Sequence, residues 1–417
     1  MLPLCQSERS NQFYIKPKEA VNLNCPSFFL NSKADLASYA STRIKISDPK
    51  NETDLPMDCK AIRQRAYFQT DDLYPEEAEF PIAYARTVYR DYRSIEIGLA
   101  AIYNPHNFYC YALDAKSSPL FHKRMRTLAG CFPNVFLTAV EFPMDSSGHN
   151  ITYSYHQCML TLTKKEYKWK YLIMLQNDEI PLKTNQELIH IFKLFNGTND
   201  VASVELEKIR IDPNANWTFK SLKLFKNETR NRVSHNGYAP ILPITSSQDF
   251  VSVSRAMIDF MLQELDLRVF IKNLEQKNRY GVDEQFMASL NSADAIDAPG
   301  GYTRFCYDKK LYHTQATIYV IWKPCKEGYD RHGVCVFGME HLQKLLKLPH
   351  LFANKMIPSY DFGAMACWYE EFSRRTHVDR GLHLIAHLLV RFNRERNQLG
   401  SKFNVSNFAC VLDHHKH

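Results

Sequence analysis

The sequence predicts an α/β protein in which helices cover both faces of a mostly parallel sheet. From Pro81 onward, apolar strand-like segments alternate with segments whose apolar residues recur at helical spacing. This alternation is typical of parallel strands joined by helical crossovers. With 45% hydrophobic residues among its 417, the chain can also bury a large core.

The elements follow one another at a regular pace. We predict strands at residues 81–89, 108–113, 134–140 and 171–175, each followed by a helix, at 92–103, 120–128, 153–162 and 184–197. The last helix begins with a capping box formed by Thr184 and Glu187. A polar excursion follows at 200–232, then a strand at 250–253, a helix at 255–265, a strand at 316–322 and a helix at 339–346.

Three regions follow from this pattern. Residues 58–370 form the main predicted domain, whose size is typical of α/β enzymes. Residues 1–57 are predicted to be a stem or lead-in with a short helix near 34–41. Residues 371–417 are predicted to hold a long amphipathic helix, from about 381, and a basic tail.

The charge balance indicates the kind of ligand. The formal net charge of +7 is mild and spread along the chain, without an arginine-rich run. This balance suits a small anionic molecule and argues against a nucleic-acid partner.

The cysteines and sequons indicate the compartment. Eleven cysteines allow buried thiols, zinc sites or disulfides, but no CxxC pair occurs, which disfavours a zinc ribbon. Together with the cysteines, six glycosylation sequons favour an oxidising secretory compartment. The sequons lie at Asn51, Asn150, Asn196, Asn216, Asn227 and Asn404. The chain shows neither a signal-peptide apolar region nor a membrane span, so we expect a targeting segment to precede it.

Polar residues follow two of the predicted strands. Asp114 ends the second strand, and Asn177–Glu179 follow the fourth. Ligands of open α/β sheets bind beyond the carboxyl ends of the strands, so both groups are expected at the ligand site.

The segment around Glu284 is the main candidate for catalysis. A loop at residues 279–281 precedes Asp283, which is predicted to cap a helix beginning at Glu284. Phe286, Met287 and Leu290 share one helical face and would anchor the helix in the core. Glu284 would then lie at the rim, ionised and able to act as a general base. The alternative is an acidic residue that serves only the helix dipole.

Eight short strings stand out along the chain: EEAEFPIAY, AIYNPHNFYC, AGCFPNVF, KWKYLIML, IPLKTNQEL, YGVDEQFMASL, GVCVFG and HLFANK. In this order they resemble strings of the core-2/I-branching β-1,6-N-acetylglucosaminyltransferases of glycosyltransferase family 14. The resemblance runs from about Asp58 to Cys367, 310 of 417 residues.

This resemblance implies a GT-A-like fold in a type II Golgi membrane protein whose anchor is not visible in this sequence. The implied reaction moves GlcNAc from UDP-GlcNAc to the 6-hydroxyl of a Gal or GalNAc acceptor on O-glycans, with inversion and β-1,6 branching. No cofactor and no metal are expected. The expected partners are the nucleotide sugar and a glycan or glycoprotein acceptor.

The resemblance also implies roles for individual residues. Glu284 would deprotonate the acceptor, with Asp283 beside it on the acceptor side and Trp322 packing against the acceptor sugar. Arg331 and Lys355 would bind the diphosphate, where fixed positive charge stabilises a departing nucleotide. The donor-binding set is Tyr89, Asp114, Arg331 and Lys355. Read without the resemblance, the two cations would be ordinary surface residues and Trp322 a core residue.

A disulfide framework is implied as well. The implied pairs are Cys59–Cys131, Cys110–Cys158, Cys325–Cys335 and Cys25–Cys367, which leave Cys5, Cys306 and Cys410. Gln176 stands where the family often has an unpaired cysteine.

Several positions depart from the family pattern. Tyr89 replaces a histidine common near the uracil, and His149 stands where vertebrate members carry a tryptophan. The interval between Arg331 and Lys355 is one residue longer than usual, so His332 competes for the place of the arginine. The segment between Pro299 and Cys325 is shorter than in the family.

Three other functions compete with this hypothesis. The nearest is a protein xylosyltransferase that uses UDP-xylose, because the wider family includes such enzymes. The second is a metal-dependent transferase that uses Asp178 and Glu179 like a DxD site, although the string is NDE. The third is a non-catalytic, secretory sugar-binding protein with the same fold.

Overall fold

A five-stranded sheet forms the centre of the protein. The computed structural model describes residues 13–30, 33–164, 166–232, 240–303, 315–326 and 329–379. The spatial order of the central strands is β3-β2-β1-β4-β6, and only β6 among them runs antiparallel to its neighbour. The ten strands are β1 (Ile82–Val88), β2 (Phe108–Leu113), β3 (Val135–Leu137), β4 (Tyr171–Leu175), β5 (Ile180–Pro181), β6 (Ser252–Ser254), β7 (Ile318–Val320), β8 (Asp330–Arg331), β9 (Val334–Cys335) and β10 (Phe352–Asn354).

Helices surround this sheet. The α-helices of the described chain are α1 (Cys25–Phe29), α2 (Lys33–Ala40), α3 (Cys59–Arg65), α4 (Glu76–Glu79), α5 (Tyr92–Ile102), α6 (Pro119–Gly130), α7 (Ile151–Leu162), α8 (Asn185–Phe195), α9 (Phe219–Leu222), α10 (Arg255–Gln263), α11 (Arg268–Leu274), α12 (Phe286–Ser292), α13 (Leu342–Leu346) and α14 (Pro358–Arg374). Short 3₁₀ turns occur at Lys18–Ala20, Lys208–Arg210, Asp283–Gln285, Asp294–Ile296 and Met339–His341, and a π-helical turn at Arg375–Asp379 follows α14.

The side chains of the central strands alternate between two separate cores. In β1, Ile82 and Tyr84 join the core on one face, whereas Ala83 and Ala85 join the core on the other. Strands β2 and β4 alternate in the same way, as expected when both faces of a sheet are covered. The predicted α/β class with a mostly parallel sheet is confirmed.

Two smaller sheets complete the fold. Strands β5, β10 and β7 form a three-stranded sheet, and β8 pairs with β9 in a hairpin. Because β5 follows the turn after β4 and β10 ends at Asn354, this second sheet brings Lys355 next to that turn.

The structure corrects the predicted start of the helix at Glu284. Residues 283–285 form a 3₁₀ turn and the α-helix begins at Phe286, so that Gln285 and not Asp283 stands at its N-cap position. Neighbouring loops hold the segment instead. The Ser247 amide donates to the Glu284 carbonyl at 2.9 Å, and the Gly281 amide donates to the Ser147 carbonyl at 2.7 Å.

Other boundaries are shorter than predicted. The strand expected at 250–253 is β6, which begins two residues later and is antiparallel, and the strand expected at 316–322 is limited to β7. The helix expected at 339–346 begins as a 3₁₀ turn before α13. The helix expected from about 381, as well as Cys5, Cys306, Asn404 and Cys410, lies outside the described residues.

All four implied disulfides are present: Cys25–Cys367, Cys59–Cys131, Cys110–Cys158 and Cys325–Cys335. Of the described sequons, Asn51, Asn196, Asn216 and Asn227 are exposed, whereas the Nδ2 of half-buried Asn150 donates to the Pro143 carbonyl at 2.9 Å. Within the described ranges, no helix is both long enough and apolar enough to traverse a bilayer.

The N-terminal segment packs against the C-terminal helix. The hydroxyl of Tyr14 donates to the Ala366 carbonyl at 2.8 Å. Asp361 in α14 is fully buried and collects four donors from three parts of the chain. They are the Tyr39 hydroxyl at 2.6 Å, the Arg43 guanidinium at 2.5 Å, the Met339 amide at 3.0 Å and the Ala364 amide at 2.9 Å.

Asp361→Ala should therefore destabilise the fold strongly. Removing the carboxylate leaves several buried donors without their acceptor and leaves Arg43 with Glu340 alone at 2.9 Å, and breaking a buried pair in this way costs about 3–5 kcal/mol. Chemical denaturation measures the free energy of unfolding. The control Asp54→Ala removes an exposed carboxylate between α2 and α3 and should change the free energy by less than about 0.5 kcal/mol. Equal stability of the two variants would contradict the assigned role.

Candidate active site

A cleft of about 490 Å³ opens beyond the carboxyl ends of β1, β2 and β4. Its walls include Tyr89, Asp114, Arg331 and Lys355. The structure thus brings together all four residues predicted to bind the donor, although they are up to 266 positions apart in the sequence. The position of the cleft is the one expected for ligands of open α/β sheets.

A buried arginine supports the floor of the cleft. Arg86 of β1 is 4% exposed and donates to the carbonyls of Gln176 at 3.0 Å and Glu179 at 3.2 Å. Its guanidinium also lies 3.6 Å from the Glu179 carboxylate. Burial raises the pKa of Glu179 to about 7, and the charge of Arg86 opposes that rise.

Four cationic or titratable side chains gather near one end of the cleft: Arg90, Arg331, His332 and Lys355. Burial lowers the pKa of Lys355. The charges of Asp178 and Glu179 oppose this decrease, whereas the charges of Arg331 and Arg90 add to it. Burial also lowers the pKa of His332, and the nearby cations add to that effect. Positive groups that depress one another's protonation favour an anionic ligand between them.

Tyr89 and Asp114 also line the cleft. The Tyr89 hydroxyl accepts from Arg331 Nη2 at 2.8 Å, and its amide donates to Asn177 Oδ1 at 2.9 Å. Asp114 is 8% exposed, and its Oδ1 accepts from the amides of Lys116 at 2.9 Å and Met144 at 3.2 Å. Tyr89 therefore orients a cation, and Asp114 shapes the loop that borders the cleft.

Glu284 lies beside the cleft and is not among its wall residues. Its side chain is 31% exposed and pairs with Arg210, whose Nη2 lies 2.5 Å from Oε2. Two loops connect Glu284 to the cleft. Asp145 and Ser146 line the cleft, and the next residue, Ser147, accepts a hydrogen bond from the Gly281 amide. Gln176 also lines the cleft, and its side-chain amide donates to Asp249.

Glu284 belongs to a group of carboxyl groups. Burial, followed by the charge of Glu284, raises the pKa of Asp283 to about 7. Burial also raises the pKa of Asp249 well above its ordinary value, followed by the charges of Asp283, Glu284 and Glu179. At neutral pH Asp283 is therefore partly protonated.

Trp322 is exposed, at 55% of its surface, and is not a core residue. It forms a β-bridge with Val334 of the cysteine-bounded hairpin and is not among the cleft walls. An exposed indole is compatible with packing against a sugar, but the described structure shows no contact between Trp322 and Glu284.

The two acids of the NDE string are already paired with arginines. Arg90 Nη2 lies 2.6 Å from Asp178, and Arg86 lies below Glu179. Among the described residues, no three or more His, Cys, Asp or Glu side chains are grouped so that they could hold a metal ion.

Three arginines of this region were not predicted. Arg90 directly follows Tyr89 at the end of β1, so the rule that ligands bind beyond strand ends could have identified it. Arg86 lies within an apolar strand, and Arg210 lies in the polar excursion at 200–232. Neither of them belongs to a motif that would mark its role.

Comparison with known proteins decides the family. The family model for the Core-2/I-Branching enzyme matches residues 82–346, more than half of the chain. The chain belongs to the core-2/I-branching enzyme family. This family membership agrees with the GT-A-like fold expected from the sequence, and the protein is accordingly a glycosyltransferase.

Two relatives illustrate the similarity. The chain is 30% identical over 334 residues to the beta-1,3-galactosyl-O-glycosyl-glycoprotein beta-1,6-N-acetylglucosaminyltransferase of Bos taurus, covering 76% of this chain and 75% of the relative. It is 28% identical over 317 residues to the N-acetyllactosaminide beta-1,6-N-acetylglucosaminyl-transferase of Homo sapiens, covering 71% and 73%. Among solved structures, S. aureus TarS matches at a TM-score of 0.29 and 10% identity over 55% of this chain and 62% of that one, too low to support any conclusion.

In this core-2/I-branching enzyme, His149 fastens the loop at 145–149 beside the cleft. Its Nδ1 lies 3.0 Å from Asp145 Oδ2, and its Nε2 lies 3.0 Å from the Gln276 carbonyl. Both partners are acceptors, so only the doubly protonated ring satisfies both. Burial lowers the pKa of His149, but the Gln276 and Asp145 hydrogen bonds and the charges of Asp145 and Glu275 outweigh it, and the pKa is raised above 6.5.

His149 should therefore stabilise the enzyme in a pH-dependent way. Its pKa is higher in the folded protein than in the unfolded chain, so its contribution is fully present below about pH 6.5 and is lost as the pH rises through the folded value. We expect His149→Gln to lower the free energy of unfolding by about 1 kcal/mol at pH 5.5 and by clearly less at pH 8.5.

Denaturation of both proteins across this pH range measures the difference. A stability gap that stays constant, or widens toward alkaline pH, would show that the charged form of His149 does not hold the loop.

Proposed function

We propose that this protein transfers GlcNAc from UDP-GlcNAc to the 6-hydroxyl of a Gal or GalNAc residue on O-glycans, with inversion and without a metal ion. The observation that carries the proposal is the cluster of Arg90, Arg331, His332 and Lys355 at a cleft beyond the strand ends. The relatives are named as β-1,6-N-acetylglucosaminyltransferases, which supports the same donor sugar and linkage here.

The cations suit the diphosphate of the donor. Lys355 and Arg331 would bind the phosphate oxygens, while Tyr89 orients Arg331 and Asp114 borders the nucleoside end. When the bond between the sugar C1 and the phosphate oxygen breaks, the electron pair stays on UDP. Fixed positive charge nearby lowers the energy of that developing anion.

Glu284 would act as the general base on the acceptor side. The acceptor oxygen forms its bond to C1 from the face opposite the diphosphate, and its proton passes to the Glu284 carboxylate. General-base assistance of this kind is worth about 10²–10⁴ in rate. Asp283 would lie beside the acceptor. The exposed ring of Trp322 would stack on the acceptor sugar when the acceptor spans the distance between Glu284 and the cysteine-bounded hairpin.

Metal independence is supported by the pairing of the NDE acids. Asp178 and Glu179 are both matched by arginines, and the lysine and arginines at the cleft supply the charge that a divalent cation would otherwise provide.

We also propose that the enzyme acts in the Golgi lumen and is attached to the membrane through an N-terminal anchor. Four disulfides and four exposed sequons are consistent with a secretory compartment.

Glu284→Gln should remove turnover and leave donor binding intact. We expect transfer from UDP-GlcNAc to Galβ1,3GalNAc, with and without EDTA, to fall by about 10²–10⁴ in kcat. Calorimetry should give a Kd for UDP within about 2-fold of the wild type, because UDP binds at the cations. UDP-xylose, assayed in parallel, distinguishes the xylosyltransferase hypothesis.

Glu371→Gln is the matched control, because Glu371 also pairs with an arginine, Arg374, at 2.7 Å, but on α14. Wild-type turnover by Glu284→Gln would refute its role as the base. Loss of wild-type activity on addition of EDTA would refute metal independence. UDP binding without transfer to any acceptor would favour the non-catalytic alternative.

Lys355→Ala should weaken UDP binding by about 10–100-fold, because a charge-assisted hydrogen bond contributes about 1.5–3 kcal/mol. Uridine lacks the diphosphate, so its binding should change by less than about 2-fold. Calorimetry with both ligands measures this difference. Lys347→Ala removes an exposed lysine outside the cleft and serves as the control. Equal losses for UDP and uridine would place Lys355 away from the phosphates.

A further inference from the structure

Arg210 makes an unusual set of contacts with the segment that carries Glu284. It ends the 3₁₀ turn Lys208–Arg210, and its side chain is only 12% exposed. Nη2 donates to the Gly281 carbonyl at 2.6 Å and to Glu284 Oε2 at 2.5 Å, and Nε donates to the Tyr280 carbonyl at 3.3 Å. One guanidinium therefore fixes both the carboxylate and the backbone that precedes it.

The loop before Glu284 is shaped around this guanidinium. Gly281 has a φ of +59°, in the left-handed region that favours glycine. A Cβ atom at this position would overlap Nη2 of Arg210 and crowd Oε2 of Glu284. In addition, the Tyr280 ring lies 5.2 Å from the guanidinium, and Gln285 donates to the Arg210 carbonyl at 3.3 Å. Arg210 is thus held from several sides.

The two oxygens of the Glu284 carboxylate have different surroundings. Oε2 accepts from Arg210 and lies 3.5 Å from the Ser246 hydroxyl. In the part of the chain that the structure describes, no hydrogen-bond donor contacts Oε1. A general base needs one oxygen that is free to accept a proton and a side chain that does not rotate.

The charges around Glu284 give Arg210 a second effect. Asp283 on the same turn, Asp249 from the loop before β6 and Tyr280 from the preceding loop all lie within electrostatic range of Glu284. The contacting guanidinium of Arg210 offsets the negative charge that these acidic neighbours add when they are ionised. Arg210 is the cation that contacts this carboxylate among the described residues.

We propose that Arg210 is a positioning residue for catalysis, which holds Glu284 Oε2 and the carbonyls of residues 280 and 281 so that ionised Oε1 is presented to the acceptor hydroxyl. The proposal rests on the proposed function, in which Glu284 is the base. Arg210 would act through Glu284, which it contacts, and it is not among the residues that line the cleft. A lysine has a single nitrogen and cannot reproduce the planar fork that reaches all three acceptors.

The test compares Arg210→Ala and Arg210→Lys with the wild type in the transfer assay across pH 4.5–8.5. For Arg210→Ala we expect kcat to fall by about 10–100-fold, as a misplaced catalytic group does. The acidic limb of the kcat profile should move upward by about one pH unit, because the carboxylate has lost its opposite charge. Arg210→Lys should restore part of kcat, and added guanidinium chloride at millimolar concentration should partly rescue Arg210→Ala.

The control is Arg230→Ala, because Arg230 belongs to the same polar excursion and pairs with a glutamate, Glu264, at 3.9 Å, away from the cleft. Its kcat and pH profile should match those of the wild type. UDP affinity and thermal stability are measured for every variant. If Arg210→Ala does not fold, Arg210→Lys carries the pH test.

The outcomes separate the two proposals. A wild type without transfer from either UDP-sugar would refute the proposed function. An active wild type with an Arg210→Ala variant of unchanged kcat and unchanged acidic limb would overturn only the role of Arg210. A loss of kcat that follows thermal stability alone, with an unmoved pH profile and no rescue, would also overturn it.

Discussion

The contact of Arg86 with the turn after β4 is the interaction on which the cleft depends. A buried guanidinium in the middle of a sheet is costly unless its donors are satisfied, and here the carbonyls of Gln176 and Glu179 accept from it. The turn held in this way places Asn177 against Tyr89. It also presents the Asp178 carbonyl to the Met356 amide at 3.0 Å, which fixes the backbone next to Lys355. Arg86 thereby helps to position Tyr89 on one strand end and Lys355 on the other side of the turn.

The site divides into two electrostatic halves that meet at the loop 145–149. One half contains the cations around Lys355, whose lowered pKa reflects burial and mutual repulsion. The other contains Asp249, Asp283 and Glu284, where burial and like charge raise the pKa of the first two. Under the proposed function, an anionic leaving group and a neutral hydroxyl that loses a proton would meet opposite environments in the two halves. Glu284 lies outside the cleft walls, so the proposed reaction requires the substrates to span both halves.

Some features could be read from the sequence because they depend on local pattern. The alternation of strand and helix segments indicated the parallel sheet, and the strand-end rule located Asp114 and Asn177 at the cleft. The disulfide pairs required the resemblance to the family, because spacing alone leaves many pairings open. The capping role of Asp283 was wrong because tertiary contacts of Ser147 and Ser247, far along the chain, decide the local backbone.

Arg210 shows the limit of such reading. It lies in an irregular polar excursion, and its partner is 74 positions away, so no periodicity or motif marks the pair. The same holds for His149, whose two acceptors come from its own loop and from Gln276 in the loop that follows α11. Contacts of this type depend on how loops meet in three dimensions. In the sequence, the residues that form them appear only as isolated polar residues.

A crystal structure with UDP bound tests the central claim most directly. We predict the diphosphate oxygens within hydrogen-bonding distance of Lys355 Nζ and the Arg331 guanidinium, with Glu284 Oε1 facing the space beyond the phosphates. A diphosphate bound away from both cations, or a Glu284 side chain turned away from that space, would contradict it.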